Sequence, residues 1–256
     1  MRNSKLAIRL LIGLAIVAFA YFQKCSNTET NPYTGREQAI GMTPEQEIAL
    51  GLQTAPEMAQ QYGGLYPDEN YQAMVDNVGN KLVQSSIAHE TPYRYEFHLL
   101  RDPETVNAFA LPGGQVFITY GLFKQLETED QLAGVLGHEI GHVLGRHSAE
   151  RVAETQFWQT VSTGAQVGAD MGNVVAGIGQ TTLLKNGRGD ELESDDLGVK
   201  FMMKAGYNPE QMIQVMEILK RAAGPNRVPE FQSTHPDPDN RIERIKESIE
   251  KYRKTL

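Results

Sequence analysis

An apolar run close to the N-terminus is the strongest hydrophobic feature of the chain. A basic start, MRNSKLAIR, leads into residues 10–22, LLIGLAIVAFAYF. Thirteen apolar residues are short for a membrane-spanning helix, which needs about 20, and suit a signal peptide better. Ala18 and Ala20 offer a cleavage site, and Cys25 suggests a lipoprotein, although bulky and polar residues precede it. We therefore expect residues 1–24 to be a signal or a membrane anchor, with cleavage, anchoring and lipidation at Cys25 left open.

The following segment is polar and leads into a helical region. Residues 25–43 are rich in turn formers, which is typical of a linker, so the main domain is expected over residues 44–256. Thr43 before a proline and an acidic turn is typical of a helix start. Apolar residues at helical spacing then predict helices over 44–61 and 68–88.

Two segments in the middle of the chain carry a strand pattern. Residues 93–100, YRYEFHLL, alternate apolar and polar side chains, and residues 106–123 predict a strand, a Pro-Gly-Gly turn and a second strand. From residue 129 to about 162 the spacing is helical. A few strands among many helices predict an α+β fold.

The second half of the chain is expected to be helical with two irregular segments. Residues 164–189 are rich in glycine and alanine and predict a mobile helix–loop. Residues 224–241, GPNRVPEFQSTHPDPDNR, predict an irregular loop. Further helices are predicted over 190–205, 208–223 and 239–254.

Charge and cysteine content exclude several classes of function. The net charge is −8, and residues 1–24 carry four basic residues and no acidic one, so the remainder carries −12. A body this acidic offers no basic stripe for nucleic acid. One cysteine permits neither an internal disulfide nor a cysteine-based zinc cluster.

The segment HEIGH is the chain's clearest chemical motif. His138 and His142 lie four residues apart, so they project from the same face of a helix within reach of one ion. Glu139 between them is placed to take a proton from a water molecule that zinc activates. Four glycines in the same helix cost about 1 kcal/mol each. They indicate that neighbouring backbone packs closely there: Gly134, Gly137, Gly141 and Gly145.

Two kinds of third ligand are compatible with this motif. A metzincin would need a histidine at position 148, which is Ser148, and His147 is one position early. A slip of one residue turns a side chain by about 100° on a helix. The alternative is a carboxylate from a later acidic cluster: Glu191, Glu193, Asp195 and Asp196. Helical spacing does not decide between the opposite faces that carry Glu191 and Glu193.

Four segments together resemble the zinc metallopeptidases of family forty-eight, which include the CAAX prenyl protease, the HtpX-type heat-shock protease and smaller exported periplasmic members. They are NAFALPGG, HEIGHVLGRH, ELESDDLGVKFMMKAGYNP and STHPDPDNRIERI. The resemblance extends from about residue 31 to the terminal helix. It implies a mostly helical zincin-type domain with a small antiparallel sheet beside the active-site helix, and one Zn²⁺ per chain.

The resemblance also implies roles for residues outside the HEIGH motif. Glu191 would be the third zinc ligand, and Asp195 would orient a zinc-bound histidine. His235, in a His-Pro loop, would stabilise an oxyanion or occupy the open position of the metal. An edge strand would bind an extended substrate through its main chain. The residues expected on that edge are Asn107, Ala108 and Phe109.

These observations lead to the hypothesis of a zinc endopeptidase acting on unfolded or damaged envelope proteins. We expect it on the periplasmic side of a bacterial inner membrane, associated with that membrane through the N-terminal segment. Its partners would be unfolded or extended polypeptides and envelope assembly factors, not nucleic acid. Two rivals are a chaperone-like factor with latent or absent protease activity, and a zinc hydrolase of a non-peptide bond.

Overall fold

The structure, a computed structural model, describes residues 2–222, 231, 235 and 240–256. The chain divides into two compact units. The first unit comprises Met1–Met42 and His147–Gly187, and the second comprises Thr43–Arg146 and Arg188–Leu256. Most of the irregular loop expected over residues 224–241 lies outside the described residues.

Helices dominate the part of the chain that the structure describes, and the expected α+β class is confirmed. The α-helices are α1 (Arg2–Ser26), α2 (Pro44–Gln61), α3 (Glu69–Gln84), α4 (Tyr120–Phe123), α5 (Glu129–Leu144), α6 (His147–Ala169), α7 (Gly172–Lys204), α8 (Gln211–Ala222) and α9 (Arg241–Arg253). A short 3-10 helix covers Ile87–Glu90. The strands are β1 (Thr28–Thr30), β2 (Glu37–Ala39), β3 (Glu96–Leu100), β4 (Ala108–Ala110) and β5 (Gln115–Thr119).

Helix α1 forms the first unit together with α6, the β1–β2 hairpin and the beginning of α7. Within α1, Ser4–Ser26 is long and apolar enough to cross a membrane, with a mean hydropathy of 2.0 and 11% of its most apolar window buried. A signal sequence would have the same length and composition. The hairpin, in which Thr28 pairs with Ala39, lies where the sequence predicted a linker.

The second unit contains a three-stranded sheet in the order β3-β5-β4. β4 is antiparallel to β5, but β3 is parallel to β5, so the sheet is mixed rather than antiparallel as expected. The tight turn between β4 and β5 reverses the chain. β5 is the central strand of the sheet, with β4 on one side and β3 on the other. This order leaves β4 at the edge of the sheet, with its neighbour α5 packed against it.

Local sequence signals account for the helix ends around the HEIGH motif. Thr128 caps α5 by accepting a hydrogen bond from the Gln131 amide. The helix stops after Leu144, and Arg146 adopts a left-handed backbone with φ of 56°. The buried Arg146 guanidinium donates a 2.7 Å hydrogen bond from Nε to Glu47 of α2. The metzincin pattern fails at residue 148, beyond the end of α5, because that position holds Ser148 instead of a third histidine.

The glycine-rich segment differs from its prediction. Residues 164–189 were expected to form a mobile helix–loop, but they lie within α6 and α7, which are separated by the short turn at Asp170 and Met171. Helix α7 also includes the helix expected over residues 190–205. Tertiary packing overrides the low helix propensity of glycine here, because Gly164 packs on Gly13 of α1 and Gly179 packs on Trp158.

The sequence predicted that neighbouring backbone packs closely against the four glycines of the HEIGH helix. The structure confirms this close packing for three of them. A Cβ atom on Gly137 would lie 3.4 Å from the Gly198 Cα, and one on Gly141 would lie 2.9 Å from the Ser194 Cα. On Gly134 it would lie 3.4 Å from the Met212 Cα. The backbones of α5 and α7 can therefore approach closely, which brings two sets of polar side chains together.

Replacing Gly141 by valine is expected to destabilise the chain, because its side chain would collide with the backbone of α7. We expect Gly141→Val to lower the free energy of unfolding by about 2–3 kcal/mol, the usual range for overpacking. Gly189→Val is the matched control, since a Cβ atom at Gly189 of α7 meets no other atom. Chemical denaturation of both variants tests this expectation, and equal losses of stability would contradict it.

Candidate metal centre

Helix α5 places the two histidines of the HEIGH motif side by side. Their Nε2 atoms are 3.0 Å apart, and the His138 side chain is buried while His142 is slightly more exposed. The i, i+4 spacing accounts for this arrangement because it places both rings on one helix face. Two imidazole nitrogens thus converge on one point.

Helix α7 supplies a carboxylate to the same point. The Glu191 oxygens lie 3.3 Å from the Nε2 atoms of His138 and His142. Together with His235, these residues form a group whose candidate ligand atoms all lie within 4.8 Å of one another. Glu193 is not part of that group of described residues. The geometry therefore favours Glu191, the alternative that helical spacing had left open.

Asp195 holds His138 through Nδ1, the ring nitrogen that does not face Glu191. Arg241 contacts both carboxylates, with its Nη2 atom 3.3 Å from Glu191 Oε2. The Nδ1 atom of His138 donates a 2.8 Å hydrogen bond to Asp195, and Arg241 of α9 donates hydrogen bonds of 2.7 and 2.9 Å to the two Asp195 oxygens. All three side chains are buried. These hydrogen bonds fix the orientation of the His138 ring, whose Nε2 atom is directed at Glu191. The contact to Asp195 agrees with the orienting role that the resemblance implies.

Arg241 is a site residue that sequence reasoning did not find. It lies in the segment STHPDPDNRIERI, but the terminal helix is highly charged, and its pattern does not distinguish one arginine from its neighbours. Arg241 is 6% exposed, whereas the Arg244 side chain, less than one turn further along, is 61% exposed. Only the fold separates them.

Glu139 differs from the other buried carboxylates. Neither of its oxygens has a hydrogen-bond partner among the described residues. The nearest cationic atom is His235 Nε2, 3.6 Å from Oε1. Burial raises the pKa of Glu139 above its ordinary value, although the charges of His235 and His138 oppose this. A buried carboxylate without a donor is costly in a purely structural role, and it is suited to accepting a proton from a molecule bound beside it.

The electrostatics of the cluster favour a bound cation. Burial alone would raise the pKa of Glu191, but the charges of His235 and His142 and hydrogen bonds hold it well below its ordinary value. Burial lowers the pKa of His138, but hydrogen bonds to Asp195 and Glu191 raise it to about 9. Two imidazoles and a carboxylate are the donors of a catalytic zinc site, so these residues fit Zn²⁺.

His235 lies within the cluster rather than in solvent. Its Nδ1 atom is 3.1 Å from Glu191 and 3.3 Å from His138 Nε2, and its Nε2 atom is 3.2 Å from the Ala108 carbonyl oxygen. The Phe231 ring stacks on the imidazole with 4.3 Å between centroids. The side chain thus contacts the ligand group and the sheet edge at once.

The edge strand β4 presents alternate residues to the site. Asn107 accepts a hydrogen bond from the Thr119 amide, so its main chain faces β5, and Phe109 stacks on Phe117 of that strand. The alternation of an antiparallel strand then leaves the main chain of Ala108 and Ala110 at the free edge. Of the three residues expected at the substrate edge, Ala108 faces the site, whereas Asn107 and Phe109 pack towards the core. Their roles in binding a substrate stay predictions.

Comparisons with known proteins agree with this chemistry. The model of "Peptidase family M48" matches residues 69–249, which include every residue of the proposed centre.

Curated relatives cover most of the chain at moderate identity. The chain is 29% identical to "Mitochondrial metalloendopeptidase OMA1" of Schizosaccharomyces pombe over 91% of its own length and 70% of the relative's. It is 29% identical to the "Beta-barrel assembly-enhancing protease" of Yersinia pestis and 28% identical to that of Escherichia coli. These matches cover 82% and 91% of this chain. The chain spans about half the length of these two bacterial relatives, at 45% and 49%.

Removing the Glu191 carboxylate is expected to abolish stable zinc binding. We expect Glu191→Ala to lower bound zinc from about one ion per chain to below about a tenth, because two imidazoles alone hold zinc weakly. Glu193→Ala is the matched control on the same helix and should keep its zinc. Elemental analysis after dialysis against a weak chelator measures both. Zinc loss in the control alone would reverse the assignment of the ligand.

Removing Arg241 is expected to weaken zinc binding, because its guanidinium contacts both Asp195 and the proposed ligand Glu191. Arg241→Met leaves Asp195 buried without its cationic partner, and we expect a loss of affinity of about 10–100-fold, the usual effect of removing a group that orients a ligand. Competition with a chromophoric chelator measures the affinity. Arg244→Met should change it less than about twofold, since that exposed residue pairs with Glu247. Equal effects of the two variants would show that Arg241 has no positioning role, and Arg241→Lys should recover part of the affinity.

Proposed function

Because the chain belongs to peptidase family M48, we propose that it is a zinc-dependent endopeptidase that cleaves unfolded or damaged proteins of the bacterial cell envelope. The observation that carries this proposal is the convergence of His138, His142 and Glu191 beside the buried carboxylate of Glu139, which accepts no hydrogen bond from the described residues. A protein that only bound its clients would have no use for such a base.

The mechanism assigns each side chain of the centre a separate task. His138, His142 and Glu191 would hold Zn²⁺, which polarises the scissile carbonyl and lowers the pKa of water. Glu139 accepts the proton of the attacking water and returns it to the leaving amine. Burial raises the pKa of Glu139, which suits a carboxylate that must accept a proton and then return it. Asp195, held by Arg241, keeps the His138 ring in position through its Nδ1 hydrogen bond.

Substrate binding is proposed at the free edge of β4. An extended peptide would add to this edge as a further strand, with hydrogen bonds to the main chain of Ala108 and Ala110. Recognition through the main chain tolerates many sequences but requires an unfolded segment. This requirement supports damaged or unfolded proteins as the substrate class, and the resemblance supports the periplasmic side of the inner membrane as the place of action.

His235 is proposed to control access to the centre. Its Nε2 atom lies at the Ala108 carbonyl, which a bound peptide would also use, and its Nδ1 atom lies at Glu191. A substrate would have to displace it. Of the two roles that the resemblance implies, the gate therefore has more support from the geometry than the stabilisation of an oxyanion.

The same contact favours one alternative function. A centre closed by His235 could remain inactive while another surface binds unfolded clients, so the protein would act as an assembly factor with latent protease activity. The words "beta-barrel assembly-enhancing" in the names of two relatives are compatible with this alternative. The alternative is distinguished from the peptidase proposal by whether the protein cleaves a substrate once the His235 side chain no longer closes the centre.

Replacing Glu139 is expected to abolish cleavage and leave the metal in place. We expect Glu139→Gln to lower kcat/KM for unfolded casein by at least about 10³-fold, within the range that general-base catalysis contributes. Zinc content should stay at the wild-type value. Glu129→Gln, at the exposed start of the same helix, is the control and should keep full activity. A cleaving Glu139→Gln variant would exclude Glu139 as the base.

Replacing His235 distinguishes the gate from a catalytic assistant. If His235 closes the site, His235→Ala should cleave unfolded casein several-fold faster than wild type, mainly through a lower KM, since the substrate no longer competes with the imidazole. A fall in kcat at unchanged KM would instead assign the side chain to oxyanion stabilisation. If neither wild type nor His235→Ala cleaves while zinc is bound, the binding-factor alternative replaces the peptidase proposal.

A further inference from the structure

Three helical stretches of the first unit lack charged residues over nearly the same length. They are residues 10–23 of α1, 155–169 of α6 and 172–184 of α7, each 13 to 15 residues long. Asp170 is the only charged residue between Glu154 and Lys185. At about 1.5 Å per residue, each stretch is roughly 21 Å long.

The charged residues at the two ends of the α1 stretch contact α6 or the turn that follows it. Arg9 at the start of the α1 stretch donates a 2.8 Å hydrogen bond to Asp170 and a 3.1 Å hydrogen bond to the Val167 carbonyl. At the other end of the α1 stretch, the Lys24 amine lies 4.7 Å from the centre of the Phe157 ring of α6. Helices α1 and α6 therefore run side by side from one charged end to the other.

Small residues bring α1 and α6 together. A Cβ atom on Gly13 would lie 2.5 Å from the Gly164 carbonyl oxygen and 2.7 Å from the Gly168 Cα. The two glycines of α6 form a G-x-x-x-G pair. Contacts of this kind between helix backbones are typical of helices that associate in membranes, where burial of apolar surface cannot drive association.

The outer face of the α7 stretch is apolar and exposed. Val174 and Ile178 lie at helical spacing and are 56% and 54% exposed, and Met171, directly before the helix, is 50% exposed. Apolar side chains of α1 are also exposed, among them Leu11 at 68% and Leu14 at 66%. Exposed apolar side chains on two helices of one unit are unfavourable in water and suit an apolar solvent.

The threonine hydroxyls of the α6–α7 hairpin, residues 155–184, are satisfied within their own helices. Several threonines donate a hydrogen bond to the carbonyl four residues earlier: Thr155, Thr160, Thr163, Thr181 and Thr182. A hydroxyl bound in this way needs no water, which is the condition for placing it in lipid. The threonines of α6 and α7 thus do not require an aqueous surrounding.

We propose that residues 155–184, the α6–α7 hairpin, are embedded in the same lipid bilayer as α1, with the Arg9–Asp170 pair at one headgroup region. A stretch of roughly 21 Å is shorter than a hydrocarbon core of about 30 Å, so the charged ends reach the headgroups by extending their long side chains and by local thinning of the bilayer. The threonine and glutamine content keeps the hairpin from qualifying as a span by itself. Its insertion depends on its contact with α1, and the proposal does not depend on zinc or on proteolysis.

The single tryptophan of the chain, Trp158, provides a direct test because it lies in the α6 stretch. The full chain is reconstituted into phosphatidylcholine vesicles that carry bromine at a shallow or a deep acyl position. We expect Trp158, four residues from Glu154, to be quenched more by shallow than by deep bromine. In the double variant Trp158→Phe with Ile178→Trp, the probe lies near the middle of the α7 stretch, and deep bromine should quench it at least about twofold.

Two further probes calibrate the experiment. Trp158→Phe with Leu14→Trp places the tryptophan in α1 and should be quenched by deep bromine, and Trp158→Phe with Leu256→Trp, at the exposed C-terminus, should not be quenched. If the probe in α1 is quenched while the probe at residue 178 is not, the hairpin lies outside the bilayer and the proposal fails. It also fails if mass spectrometry of the membrane-extracted chain shows that α1 has been removed.

A matched pair of variants tests whether insertion of the hairpin depends on its contact with α1. Gly164→Leu introduces a side chain whose Cβ atom would lie 2.8 Å from the Gly13 carbonyl oxygen. Gly177→Leu is the matched control, because a Cβ atom on Gly177 would meet no other atom. We expect Gly164→Leu to reduce the quenching of the probe at residue 178 by at least about half, because the hairpin separates from α1. Gly177→Leu should retain it. Equal quenching in both variants overturns the dependence on α1.

Discussion

The close approach of α5 and α7 is the constraint on which the candidate centre depends. Gly137 and Gly141 meet Gly198 and Ser194 almost backbone to backbone, and a Cβ atom at Gly141, 2.9 Å from the Ser194 Cα, would push the helices apart. That distance is what places the imidazoles of α5 and the carboxylates of α7 within hydrogen-bonding range. The glycines of the HEIGH helix therefore lower the intrinsic stability of the helix and are retained because the centre requires their small size.

Burying so many ionisable groups has a second consequence. Charges that leave water are tolerated only when they are paired and hydrogen-bonded, and this condition fixes their relative positions. Asp195 is held between His138 and Arg241, while Glu191 faces three imidazoles. Glu139 is the exception, with no hydrogen-bond donor among the residues that the structure describes. A network in which one buried base accepts no hydrogen bond from the described residues is preorganised for proton transfer rather than for stability alone.

Sequence reasoning predicted the centre in part, and its gaps have physical causes. The spacing of His138, Glu139 and His142 is local to one helix, so periodicity suffices to find it. The choice between Glu191 and Glu193 depends on which face of α7 meets α5, and both faces are apolar enough to be buried. Arg241 could not be found, since only tertiary packing distinguishes it from exposed arginines of the same helix. Helix α2 was predicted with its observed bounds from its cap, whereas β3 was not expected to run parallel to β5, because strand order depends on long-range pairing.

The central claim is that His138, His142 and Glu191 bind one zinc ion through nitrogen and oxygen atoms. X-ray absorption at the zinc edge on the purified full-length chain tests this most directly. The account predicts one ion per chain, with two or three imidazole nitrogens and at least one carboxylate oxygen at about 2.0–2.2 Å. A shell of oxygen atoms without imidazole scattering, or a chain that binds no zinc, would contradict it.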